Sequence, residues 1–129
     1  MLRLIPIISF LVFSLWIQGL EAGKECICDL RFTFTKRHAY CTSTYPDETV
    51  CKCKWSRCSS PLVNTHYVRM SGCYLIGGDG SSGVSNQDCT RYEYDPLNVN
   101  YICHDGGQSY TCPGNLLTFG SKAMVCTDC

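Results

Sequence analysis

Cys51-Lys52-Cys53-Lys54-Trp55-Ser56-Arg57-Cys58 is the stretch that decides how this chain must fold. Every second residue from Cys51 to Trp55 is apolar, and the residues between are basic or polar. Side chains at i, i+2 and i+4 of a strand share a face, so the pattern predicts Cys51, Cys53 and Trp55 pointing inward and Lys52, Lys54 and Ser56 pointing to water. Extended backbone holds residues two apart at a Cα separation of roughly 6.5 to 7 Å, at or beyond the reach of a disulfide. Cys51 and Cys53 therefore each need a partner on another segment. The stretch reads as a hub strand, tied to two other parts of the chain with Trp55 packed beside the sulfurs.

Working outward, Met1-Leu2-Arg3 precedes an apolar run from Leu4 to Leu20, and Gly19-Leu20-Glu21-Ala22-Gly23 follows with small residues. A basic start, an apolar centre and small residues at the end read as a secretory signal peptide over residues 1–22. Residues 23–129, about 107 of them, then form one secreted domain with no further apolar run and hence no membrane span. All twelve cysteines lie in it: Cys26, Cys28, Cys41, Cys51, Cys53, Cys58, Cys73, Cys89, Cys103, Cys112, Cys126 and Cys129. That density, roughly 11 per cent, marks a disulfide scaffold. An even count behind a leader implies six intrachain bridges, and their connectivity is open, since twelve cysteines permit about ten thousand pairings. Thiolate metal binding is not expected, because a secretory route oxidises the thiols such sites need. Cys126 and Cys129 read as two ordinary bridge halves, and no cofactor is implied.

The remaining pattern is strands and turns. Leu30 to Lys36 alternates Leu30, Phe32 and Phe34 against Arg31, Thr33 and Thr35, the clearest strand signal in the chain. Cys41 to Val50, with Thr42, Ser43, Thr44, Pro46 and Asp47, reads as a turn-rich connection. Extended structure is expected along His66–Met70 into Cys73–Ile76, then at 92–94, 99–103, 110–112 and 123–126. Gly77 to Asp88 is rich in glycine and serine and reads as an exposed loop. A helix is possible only over Leu116 to Val125, where Gly120 interrupts the pattern. These features predict a small, disulfide-rich, β-dominated fold, all-β or α+β with at most one short helix.

Net charge is zero, yet charge is unevenly placed. Lys24 to Gly72 holds eight basic and four acidic residues, and Cys73 to Cys129 holds two basic and six acidic. The functional reading is an electropositive face for an acidic protein partner, drawn from Lys36, Arg37, Lys52, Lys54 and Arg57, with Lys52, Lys54 and Arg57 the leading binding candidates. The plainer reading is that the halves pair across the fold and the lysines guard an edge strand.

Catalytic signals are sparse. Arg91-Tyr92-Glu93-Tyr94-Asp95-Pro96-Leu97 resembles the segment carrying the catalytic glutamate of fungal guanyl-specific ribonucleases, with His104 following as their second histidine does. A carboxylate and an imidazole are the pair that acid–base cleavage of RNA requires. That family places an arginine between its glutamate and its last histidine, and no Arg or Lys stands between Glu93 and His104 here. A phosphate-bearing transition state needs such a cation. No catalytic residue is therefore assigned, a non-enzyme is expected, and nucleic acid is not the favoured partner.

The whole mature chain resembles the small, secreted, cysteine-rich effector proteins of plant-pathogenic fungi. The likeness rests on the leader, a mature chain just over a hundred residues long, the dozen cysteines, the absence of any Asn-x-Ser/Thr site, and the units Tyr101-Ile102-Cys103 and Tyr110-Thr111-Cys112. It implies an extracellular, monomeric virulence protein that binds a host or apoplastic component and dampens immunity. Two other classes stand beside it: a protease inhibitor presenting the Gly77–Asp88 loop, and a sugar-binding module using exposed Tyr and Trp.

Overall fold

The computed structural model describes residues 24–44, 48–62, 64–78 and 83–129. The expected leader over 1–22 lies outside them, as do Pro46, Asp47 and part of the 77–88 stretch. Eleven strands are described: β1 (Cys26–Ile27), β2 (Arg31–Phe34), β3 (His38–Ser43), β4 (Thr49–Lys54), β5 (Cys58–Ser59), β6 (Val68–Leu75), β7 (Ser85–Cys89), β8 (Arg91–Asp95), β9 (Asn100–Asp105), β10 (Gln108–Pro113) and β11 (Val125–Cys126). Eight of them form one antiparallel sheet in the order β4-β3-β2-β8-β9-β10-β6-β7, and β1-β11-β5 form a small second sheet. Among the described residues one α-helix is present, α1 (Leu116–Phe119), and it is only four residues long. Asn115 caps it by accepting from the Thr118 N–H, and Gly120 stands at its C-cap, where the sequence placed the interruption. The fold is thus the β-dominated, disulfide-rich one the residues predict.

All twelve cysteines are paired, as Cys26–Cys51, Cys28–Cys41, Cys53–Cys129, Cys58–Cys126, Cys73–Cys112 and Cys89–Cys103. The hub behaves as its alternation requires. Cys51 and Cys53 are buried, Val50, Lys52 and Lys54 are exposed, and the two sulfurs leave for different segments. Cys126 and Cys129 join Cys58 and Cys53.

One part of the hub departs from expectation. Lys54 pairs with His38, the first residue of β3, so Trp55 has no strand to pair with. The chain turns through a 3-10 turn over Trp55–Arg57 toward Cys58, which is fastened to Cys126. Trp55 is accordingly half-buried rather than fully inside, packed against the core at its rim and flanked by the Phe34 and His66 rings.

Two loop expectations also give way to pairing. Cys41, Thr42 and Ser43 complete β3, with Ala39, Cys41 and Ser43 buried in alternation. Hydroxyl residues that read as turn formers are held in a strand flanked on both sides by β2 and β4, which outweighs their local preference. Likewise the end of the 77–88 stretch is β7. Asp88 and Gln87 pair with Arg69 and Met70 on β6, and Cys89 is bridged to Cys103.

The core lies between the inner face of the large sheet and the small sheet with α1. Phe32, Tyr92, Tyr101 and Phe119 pack there, with the Tyr101 and Phe119 rings 4.1 Å apart. The Tyr92 hydroxyl bridges the layers: it donates to the Cys28 carbonyl at 2.6 Å and accepts from the Met124 N–H at 3.0 Å. Burial pushes its ionisation well above the ordinary tyrosine range. The two aromatic-x-Cys units acquire a structural meaning. Cys103 faces Tyr110 and Tyr101 faces Cys112 across β9 and β10, so ring and sulfur alternate in a checkerboard on the inner face.

Candidate binding site

The β2–β3 hairpin closes through the Thr35 N–H, which donates to the His38 carbonyl at 2.8 Å. Only Lys36 and Arg37 fit between, so both stand exposed at the tip. His38 opens β3 directly opposite Lys54, the last residue of β4, and both point away from the core because Ala39 and Cys53 point into it. Trp55 and Ser56 follow at once. Lys36, Arg37, His38, Lys54, Trp55 and Ser56 therefore line one open hollow of about 510 Å³.

Its aromatic wall is fixed in place. The Trp55 indole stacks on the His66 ring at 4.1 Å and 24°, and Phe34 lies 6.0 Å away on a tilted plane. His66 is oriented in turn by Nδ1, 2.8 Å from the Cys58 carbonyl, so Nδ1 carries the proton of that hydrogen bond. The Arg91 guanidinium covers Phe34 at 4.4 Å from the ring centre and reaches the Phe34 carbonyl. With His66 stacked on it, one face of Trp55 is closed as a sugar-binding platform.

The leading candidates divide. Lys54 lines the hollow, and Lys52 stands two residues away on the same outer face of β4. Arg57 is engaged elsewhere, in an ion pair with Asp128 at 3.4 Å. His38 and Ser56 complete the lining. Nothing in the sequence marked His38 for this place, since its neighbourhood depends on the β3–β4 register. The ion pairs among the described residues are Arg57–Asp128 and Arg69–Asp88. Among those residues, no carboxylate comes within ion-pair distance of Lys36, Arg37, Lys52 or Lys54. Edge protection accounts for Lys52 and Lys54, since β4 is an edge strand. It does not account for Lys36 and Arg37, which stand on a turn.

A second group meets on the outer face of the central strands. Arg91 of β8 lies opposite His104 of β9, and Glu93 lies opposite Ile102, all pointing away from Tyr92 and Cys103. Glu93 and His104 are diagonal neighbours, a relation that sets Cα atoms roughly 7 to 8 Å apart. His104 Nδ1 is 2.9 Å from the Ser109 hydroxyl. Arg91 stands opposite His104 in register, just before Glu93, while its guanidinium is engaged at the Phe34 ring and carbonyl.

Two groups of three sulfurs, Cys28, Cys41 and Cys126, and Cys89, Cys103 and Cys112, lie within 4.8 Å of one another. Each sulfur belongs to a disulfide, and metal ligation requires a thiolate. Among the described residues, no helix is long and apolar enough to cross a membrane. No family model, curated protein or solved structure matches the chain.

Proposed function

We propose that this chain is a secreted, non-catalytic binding protein of the virulence-effector type, which meets an acidic host or apoplastic protein as a monomer and suppresses plant immunity. One observation carries the binding reading: Lys36, Arg37, Lys52 and Lys54 gather at one end of the sheet with no carboxylate beside them among the described residues. Like charges so close repel one another, and a complementary partner relieves that repulsion while steering its own approach. Six disulfides are the product of an oxidising compartment and support the secreted part of the reading.

The diagonal placement of Glu93 and His104 on one face of β8 and β9 favours a second reading, cleavage of RNA by acid–base chemistry. One experiment weighs the two. Wild type, the triple variant Lys36→Glu/Arg37→Glu/Lys54→Glu, and the double variant Glu93→Gln/His104→Ala are assayed for suppression of a plant oxidative burst and for RNA cleavage. Suppression lost only in the charge-reversed protein is the expected result. RNA cleavage by wild type that disappears in the double variant would make the protein an enzyme.

A further inference from the structure

The basic hollow has more donors than a carboxylate can use. Lys36 and Arg37 reach it from a hairpin tip, His38 from the start of β3, Lys54 from the end of β4 and Ser56 from the 3-10 turn. Cationic groups thus approach one space from two separate backbone stations, with an imidazole at a third and a hydroxyl at a fourth. A carboxylate is planar, carries one negative charge and offers two oxygens. A phosphomonoester carries close to two charges at neutral pH on three strongly accepting oxygens, and it is met by several cations from different sides. Three permanent cations with no counter-charge among the described residues match the second ligand and exceed the first. The aromatic wall points the same way. His66 stacks on one face of the Trp55 ring and closes that face to a nucleobase or sugar.

We infer that the hollow lined by Lys36, Arg37, His38, Lys54, Trp55 and Ser56 is a phosphomonoester site, and that the acidic partner presents a phosphorylated side chain there. This rests on the basic-end binding reading and names the chemistry of the partner. A phosphodiester backbone, with one charge and two free oxygens per group, is the poorer fit.

The test is a titration of the isotope-labelled, disulfide-bonded protein followed by NMR, reading the Trp55 indole N–H and the amides of residues 36 to 38. Four probes are compared at equal ionic strength: a capped phosphoserine tripeptide, its unphosphorylated form, capped tri-glutamate, and a short single-stranded RNA with hydroxyl ends. The phosphopeptide should shift these signals saturably and bind about tenfold or more tighter than tri-glutamate. Lys54→Glu should weaken it by about tenfold or more, the scale of one charge-assisted hydrogen bond, while signals far from the hollow stay in place. Equal or tighter binding of tri-glutamate or RNA, or phosphopeptide binding indifferent to Lys54→Glu, overturns the inference. Failure of the broader reading looks different. If phosphopeptide binding fails while charge reversal still abolishes burst suppression, the phosphate assignment falls and the acidic partner remains. If the phosphopeptide binds at Lys54 and burst suppression ignores charge reversal, the site stands and the effector role falls.

Discussion

The two edges of the large sheet are held by different means. At one edge, β4 is fastened by Cys26–Cys51 and Cys53–Cys129 to segments 25 and 76 residues away in sequence. At the other, β7 is held by contacts closer at hand: Cys89–Cys103 spans 14 residues, Arg69 and Asp88 form an ion pair at 2.9 Å, and the Gln87 amide donates to the Ser85 hydroxyl. The β7 edge uses its charge to hold its own strands together. Covalent ties anchor β4, and among the described residues its lysines form no ion pair with a carboxylate. Charge that the architecture does not consume is available to a partner, which is why the binding reading attaches to the β4 edge.

The largest test of this contrast removes covalent ties. Cys53–Cys129 and Cys58–Cys126 join the same two segments, so with one intact the other closes a loop of only about eight residues and contributes about 2.5 kcal/mol. Replacing all four cysteines by Ser should cost about 6 to 7 kcal/mol, against about 3 for Cys89→Ser/Cys103→Ser at the opposite edge. Denaturant unfolding measures each. A cost above about 4 kcal/mol for either single bridge would show that the two do not back each other up.

Next comes the ring at the rim of the β4 edge. Trp55→Ala should cost about 2 kcal/mol, between a surface and a core substitution, because half the indole is packed on Phe34 and His66. A cost below about 1 kcal/mol would mean that the ring is not fixed, and the hollow would lose its rigid wall.

Between the edges, Tyr92 clamps the large sheet to the small one, and alkali tests the clamp. Its ionisation is raised in the folded chain by burial, so its contribution is intact below the unfolded value of about 10 and is lost as pH climbs past it. Burial raises Tyr101 in the same direction. The denaturation midpoint should hold to about pH 9 and fall beyond about pH 10, and Tyr92→Phe should flatten that fall. A midpoint that falls equally in the variant would exonerate the hydroxyl.

The smallest effect expected is none. Lys52→Glu and Lys54→Glu should leave the thermal midpoint in place, since neither lysine has a carboxylate partner to lose among the described residues. A clear fall would mean that these lysines do hold β4, and the contrast between the edges would fail.

How far the chain could be read follows from the same physics. Alternation between Cys51 and Lys54 showed which cysteines must seek distant partners, because strand geometry is a local property. The partners themselves were not readable, since pairing depends on the order of eight strands that no local pattern states. Trp55 was placed too deep because the start of β3 at His38, seventeen residues back along the chain, decides where β4 stops. Within the site, the cations Lys36, Arg37 and Lys54 were visible as a basic run, while His38 and Ser56 needed the register. Arg91 beside His104 was hidden for the same reason: a search between two residues in sequence misses what a neighbouring strand sets across from them.

The interleaving of the bridges bears on how the protein meets proteases. A cut at the exposed Lys36–Arg37 tip is spanned by Cys26–Cys51 and Cys28–Cys41, and a cut near Leu97 is spanned by four of the six bridges. Clipping at such turns leaves a nicked molecule whose pieces part only on reduction. The hairpin that carries the basic tip would keep both its arms after trypsin has opened it.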